Sequence, residues 1–97
     1  MLTTTQRAYL KKLIQKEPAI YQVGKKGLSQ NQIQQLNDAL EARELIKITV
    51  LSNSPEDKES IAEQITSMTN SELVSILGSK IVIYKESTKN KTIVLPK

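Results

Sequence analysis

Apolar residues recur along this chain in two periods, one helical and one of two residues, and the changes of period fall at prolines, glycines and serines. Thr3 and Gln6 have the spacing of a capping box. Leu10, Leu13 and Ile14 follow at helical intervals until Pro18, whose ring and missing N–H forbid continuation. The pattern predicts a first helix from about Gln6 to Lys16. "PAIYQV", with β-favouring Ile20, Tyr21 and Val23, predicts a strand that ends at "GKKG". Ser29 and Gln32 repeat the capping-box spacing, and Ile33, Leu36 and Leu40 give a second helix one apolar stripe ending near Arg43. "ELIKITVL" alternates, with Ile46, Ile48 and Val50 on one side and Leu45, Lys47, Thr49 and Leu51 on a wetter one, which predicts a half-buried strand. Ser54 is the expected cap of a third helix, with Pro55 at its first position, Glu56 and Asp57 in its first turn, and Ile61, Ile65 and Met68 as its buried stripe. "LVSIL" and "KIVIY", two β-rich runs separated only by Gly78 and Ser79, predict a hairpin.

The order is α-β-α-β-α-β-β. Strand-helix-strand units imply right-handed crossovers and parallel pairing, and the hairpin adds one antiparallel pair. The expected fold is therefore α/β, a two-layer sandwich with a four-stranded mixed sheet. Its 97 residues suit a single domain spanning 1–97, whose basic tail, 87–97, either lies down on the domain or stays loose.

Composition narrows the chemistry. There is no cysteine and no histidine, which removes disulfides, thiolate catalysis, the commonest general base and the commonest metal ligand. No paired-acid or nucleophile motif stands out among the remaining residues, so no enzyme activity, metal, cofactor or small-molecule substrate is expected. The acids of the third helix are explained by the helix dipole. No apolar run approaches the roughly 20 residues that span a bilayer, and "MLTTTQRAYLKK" has no apolar core of a leader, so a cytoplasmic protein without membrane contact is expected.

The net charge of +4 is unevenly distributed. Residues 1–50 carry eight Lys/Arg against four acids, residues 51–78 carry Lys58 against five acids, and residues 79–97 carry five lysines against Glu86. A polyanion should prefer the two basic segments if folding brings them together, although charge alone equally suits plain solubility.

The stretch "VGKKGLSQNQ" concentrates the question, because two of the three glycines in the chain enclose Lys25 and Lys26. Gly24 and Gly27 describe a tight exposed loop with the lysines at its tip, set directly before the N-terminus of the second helix, whose free amides and dipole favour an anion. The Walker loop needs four residues between its glycines, and the dinucleotide fingerprint needs a third glycine; neither is present. A Gly-x-x-Gly loop is how KH modules hold a nucleic-acid backbone, though there it joins two helices. Taken alone, the tetrapeptide also fits an ordinary strand-to-helix turn with solvated lysines.

Three stretches, "VGKKGLS" at 23–29, "ALEARELIKI" at 39–48 and "GSKIVIYKESTKNKTIVLPK" at 78–97, together resemble the YhbY-like proteins, the bacterial single-domain form of the CRM (chloroplast RNA splicing and ribosome maturation) RNA-binding domain. The resemblance runs over essentially the whole chain. It implies a fold similar to the C-terminal domain of translation initiation factor three, no catalysis, RNA binding through the loop and nearby basic surface, and a role with precursors of the large ribosomal subunit. Carried over by position, it makes Gly24, Lys25, Lys26 and Gly27 the RNA-binding loop and places Lys47 in the Glu-Leu-Ile-Lys segment. Lys80, Lys85 and Lys12 are further candidates for phosphate contacts. With three tyrosines and no Phe or Trp, stacking platforms for bases are not expected, so a monomer reading the backbone and shape of ribosomal RNA is the leading reading. An adaptor that docks on a ribosomal protein is the alternative.

Overall fold

The computed structural model describes residues 2–96. Helix α1 (Thr4–Ile14) starts directly behind its cap: Thr3 Oγ1 accepts from the Gln6 amide at 3.1 Å, and Gln6 Oε1 accepts from the Thr3 amide at 3.0 Å. It therefore begins two residues before the expected start and ends at Ile14, two residues before the expected end and about one turn short of Pro18, with Gln15 as its C-cap. Strand β1 shrinks to Tyr21–Val23, because Pro18 has no N–H for a ladder, although Ile20 still donates to the Lys47 carbonyl. Helix α2 (Gln30–Arg43) has the Ser29/Gln32 capping box, and strand β2 (Leu45–Val50) follows after a single residue.

Helix α3 (Lys58–Thr69) corrects the expected cap. Asp57, not Ser54, accepts from the Ser60 amide at 2.8 Å, while Ser54 sits in a turn that donates from its hydroxyl to the Glu56 carbonyl. Pro55 is thereby outside the helix and free to pack elsewhere. The buried stripe is Ile61, Ala62, Ile65 and Thr69, whereas Met68 is 61% exposed. Thr69 can take the buried place because its hydroxyl donates to the Ile65 carbonyl at 2.7 Å and meets Ser71 Oγ.

The hairpin joins β3 (Glu72–Leu77) to β4 (Lys80–Tyr84) across Gly78, at φ +59°, and Ser79. Strand order is β1-β2-β4-β3: β1 is parallel to β2, and β4 is antiparallel to both β2 and β3. The sheet thus has two antiparallel pairs rather than the expected one. The crossover through α3 does not set β3 beside β2; it skips one place, into which the hairpin folds β4, four of whose five residues are buried. Val74 and Ser75 together face Val82, a bulge that turns the edge strand β3.

The alternation along β2 and β4 sends side chains to two covered faces. Ile46, Ile48, Val50, Ile81 and Ile83 pack under α2 and α3 against Leu36, Leu40, Ile61 and Ile65, which is the expected two-layer body. Leu45, Val74, Val82 and Tyr84 meet Leu10 and Ile14 of α1 on the other face, with Ile93 and Leu95 closing over them. Helix α1 therefore adds a partial third layer, required because the face expected to be wet carries Leu45 and Val82 at one end. The segment after β4 lies on the domain, with Ser87 buried.

Candidate nucleic-acid interface

The glycine loop is built by the two strands beneath it. Val23, the last residue of β1, pairs with Val50, and its carbonyl accepts from the Leu51 amide at 2.8 Å. Gly27 then donates to the Gly24 carbonyl at 2.9 Å, closing a four-residue turn that exposes Lys25 and Lys26. The two glycines serve different needs. A Cβ at Gly24 would stand 3.2 Å from Leu51 Cδ1; at Gly27 it would stand 3.3 Å from Pro55 Cγ, on a backbone already at φ +67°. Segment 51–55 thus presses against the loop from behind, which is the use the displaced Pro55 finds.

Behind the lysines stands the start of α2. Its capping box occupies the Ser29 and Gln32 amides, and Gln32 Nε2 reaches the Gln22 carbonyl at 3.2 Å, tying helix to strand. The amides of Gln30 and Asn31, in the first turn, remain as donors without an intrahelical acceptor. Loop and helix end enclose a concavity of about 310 Å³ lined by Gly24, Lys25, Lys26, Gly27, Ser29 and Gln32. Among the described residues neither lysine has a carboxylate partner; the ion pair found there is Lys91 with Glu86, at 2.6 Å. The arrangement offers two exposed cations and a helix dipole to an anion.

The other expected lysines divide. Lys12, Lys47 and Lys80 line one groove on the α1 face, together with Lys11, which the sequence reading passed over although it is the neighbour of Lys12 in the last turn of α1. Lys47 Nζ donates to the Glu17 carbonyl at 2.8 Å. Lys80 begins β4, and β4 runs against β1 and β2, so this groove opens at the end of the sheet that carries the glycine loop. Lys85 follows the last residue of β4 and lies at the opposite end, beside Glu72 and Glu86. The structure does not bring Lys85 to the loop.

Two acids with no place in the sequence-based candidate set organise that far end. Glu44, fully buried and at φ +67°, accepts from the amides of Ser87 (2.9 Å), Thr92 (2.6 Å) and Ile93 (2.8 Å). Burial pushes its carboxyl up, but these donors outweigh burial and hold it below the usual range. Glu41 accepts from the Thr88 and Ser87 hydroxyls and from the Lys89 amide, which lower its pKa to about 2. Tyr84 is pushed up by burial and by the nearby Glu44 and Glu86 charges. The one visible signal was Glu44 itself, an acid at the helix-to-strand junction where glycine or asparagine is usual.

With this geometry in view, the comparisons with known proteins are informative. The sequence model of the CRS1/YhbY (CRM) domain matches residues 2–85. The chain belongs to the CRS1/YhbY (CRM) domain family. Among its relatives is the "Probable RNA-binding protein YqeI" of Bacillus subtilis, 48% identical over 96 residues that span 99% of this chain and 100% of that one. An "RNA-binding protein" of Haemophilus influenzae is 31% identical over 90 residues, 93% of this chain and 91% of the relative. The solution structure of a hypothetical protein from Staphylococcus aureus superposes with a TM-score of 0.82 at 50% identity, covering 99% of this chain and 100% of that one. The CRM match includes the glycine loop, α2 and all four strands, while the segment clasped by Glu41 and Glu44 begins where it stops.

Proposed function

We propose that this CRM protein is a non-enzymatic RNA-binding protein that grips an RNA backbone in the concavity between its Gly-Lys-Lys-Gly loop and the N-terminus of α2. The observation that carries the reading is one concavity lined by Lys25 and Lys26 of the loop and by Ser29 and Gln32 at the start of α2, with no carboxylate among its lining residues. A phosphate set there would receive charge from the lysines, hydrogen bonds from the Gln30 and Asn31 amides and the favourable end of the helix dipole. The names of two relatives, a probable RNA-binding protein and an RNA-binding protein, point the same way. Lys12, Lys47 and Lys80, at the same end of the sheet, take further phosphates of the same RNA. The RNA is ribosomal, in precursors of the large subunit in the cytoplasm, and the protein acts as a monomer. No helix among the described residues is long and apolar enough to cross a membrane.

The test is sedimentation of the tagged protein through a ribosome gradient of cell extract, comparing wild type with Lys25→Ala/Lys26→Ala. Wild type should travel with large-subunit precursors and the double variant should stay at the top. If both travel alike, another surface docks the protein and an adaptor on a ribosomal protein is the better reading; if neither leaves the top, the ribosomal assignment is wrong.

A further inference from the structure

The groove on the α1 face has a property the glycine loop lacks. It encloses about 370 Å³, its lining carries Lys11, Lys12, Lys47 and Lys80 with no carboxylate, and its floor is apolar, made by exposed Leu77 beside the almost fully buried Val82. Leu77 is 78% exposed at the corner of the hairpin, a large apolar side chain left in the open beside four cations. Phosphates alone would need the charges and not the floor. A solvated surface would need neither.

We infer that this groove is a binding site for an unpaired nucleotide, whose base lies on Leu77 and Val82 while the phosphates on either side of it meet the lysines. The inference rests on the RNA-binding reading above and extends it, naming the RNA as one with a single-stranded segment next to the structured part held by the loop. A duplex keeps its base faces stacked inside, so only an unpaired base has an apolar face to offer. The volume is within the range of small-ligand clefts, which begins at about 300 Å³. Position supports one continuous ligand. Lys80 pairs with Thr49, next to Val50, and Val50 pairs with Val23, which leads into Gly24. From β4 to β1 is two strand spacings, about 10 Å across the sheet. An RNA strand leaving the loop over the end of the sheet reaches the groove at once. A peptide is less well served, since the floor is a sheet face whose backbone is already paired across β4.

The experiment is fluorescence anisotropy on the full chain with two RNA probes, a blunt hairpin and the same hairpin carrying a short single-stranded extension. Wild type should bind the extended probe about tenfold more tightly, the scale of one base contact. Leu77→Ser should lose most of that gain and bind the blunt hairpin as wild type does, and Leu77→Tyr, which supplies a stacking ring, should increase it. An increase cannot come from misfolding. The inference is overturned if the extension adds nothing while the blunt hairpin binds, or if the gain is the same in all three proteins; the loop reading survives either result. It is also overturned if an acidic apolar peptide binds wild type, loses affinity in Leu77→Ser and the extension adds nothing, since the groove then belongs to a protein. If neither probe binds wild type, the RNA-binding reading falls with it.

Discussion

Glu44→Gln isolates the carboxylate that holds the C-terminal segment. The change keeps the length of the side chain and puts another ordinary L-residue at φ +67°, so backbone strain is the same on both sides. In the native protein Oε1 accepts from the Thr92 and Ile93 amides, at 2.6 and 2.8 Å, and Oε2 accepts from the Ser87 amide at 2.9 Å. An amide side chain can keep the first pair only by turning its NH2 group toward the Ser87 N–H, leaving one buried donor facing another. An unsatisfied buried donor costs about 1–3 kcal/mol, and the two surviving bonds lose their charge assistance. The expected total is about 3 kcal/mol, a large part of the 5–15 kcal/mol typical of a whole domain. Thermal unfolding followed by circular dichroism at neutral pH should show a fall in Tm of roughly 10–20 °C. A fall below about 3 °C would refute the claim that the clasp is an integral part of the fold.

Acid should loosen the same segment. The Glu41 carboxyl is held at about 2 against an ordinary value of 4.5, and Glu44 is also lowered, so between these limits the unfolded chain binds more protons than the folded one. The Glu41 contribution is complete above about pH 4.5 and is lost as pH falls toward 2, the Glu44 contribution is lost in the same direction, and amide exchange at Ser87 to Ile93 should accelerate as pH falls; exchange independent of pH beyond its intrinsic rate would contradict the assignment. Gly27→Ala should destabilise by about 1–2 kcal/mol, from the left-handed backbone and the Pro55 contact, and Gly24→Ala by less, because Leu51 Cδ1 is the end of a flexible side chain. Equal losses in urea unfolding would show that φ does not decide the difference. Asp57→Ala should cost about 1 kcal/mol as a lost helix cap and Ser54→Ala clearly less; the reverse order would restore Ser54 as the cap.

Those two capping residues show how far local pattern carries. Where a capping-box pair stood before an apolar stripe, as Thr3 with Gln6 and Ser29 with Gln32, the cap was legible and correct. Before α3 the chain offers both Ser54 and Asp57; the cap is Asp57, which leaves Pro55 outside the helix and against the glycine loop, a contact between positions remote in sequence. The hairpin was legible because Gly78-Ser79 is a local signal, but where the hairpin folds back was not, since strand order depends on which strand faces both helical layers. Met68 and Thr69 exchanged places because a threonine that satisfies its hydroxyl within its own helix is as good a buried residue as its apolar neighbour is an exposed one.

The glycine loop was legible as an exposed turn before a helix, because both features are local, whereas the Leu51 and Pro55 contacts behind its glycines were not. The lysine groove was legible only as residue names. Lys12, Lys47 and Lys80 are remote in sequence, and pairing of β2 with β4 under α1 is what collects them and leaves Lys85 behind. Glu41 and Glu44 were missed because acids near the end of a helix ordinarily read as solvated charge, and their partners lie more than forty positions away, in the segment from Ser87 to Ile93.

The most direct test of the account is the salt dependence of binding to a structured fragment of large-subunit ribosomal RNA, for wild type and for Lys25→Ala/Lys26→Ala. If the loop lysines and two or three others each neutralise a phosphate, the wild-type affinity should fall with salt at a slope of about −3 on a log-log plot. The double variant should bind much more weakly, with the slope reduced by about 1 for each lysine removed. A wild-type slope near zero, or a double variant that keeps both the affinity and the slope, would contradict the claim that this loop holds the RNA backbone.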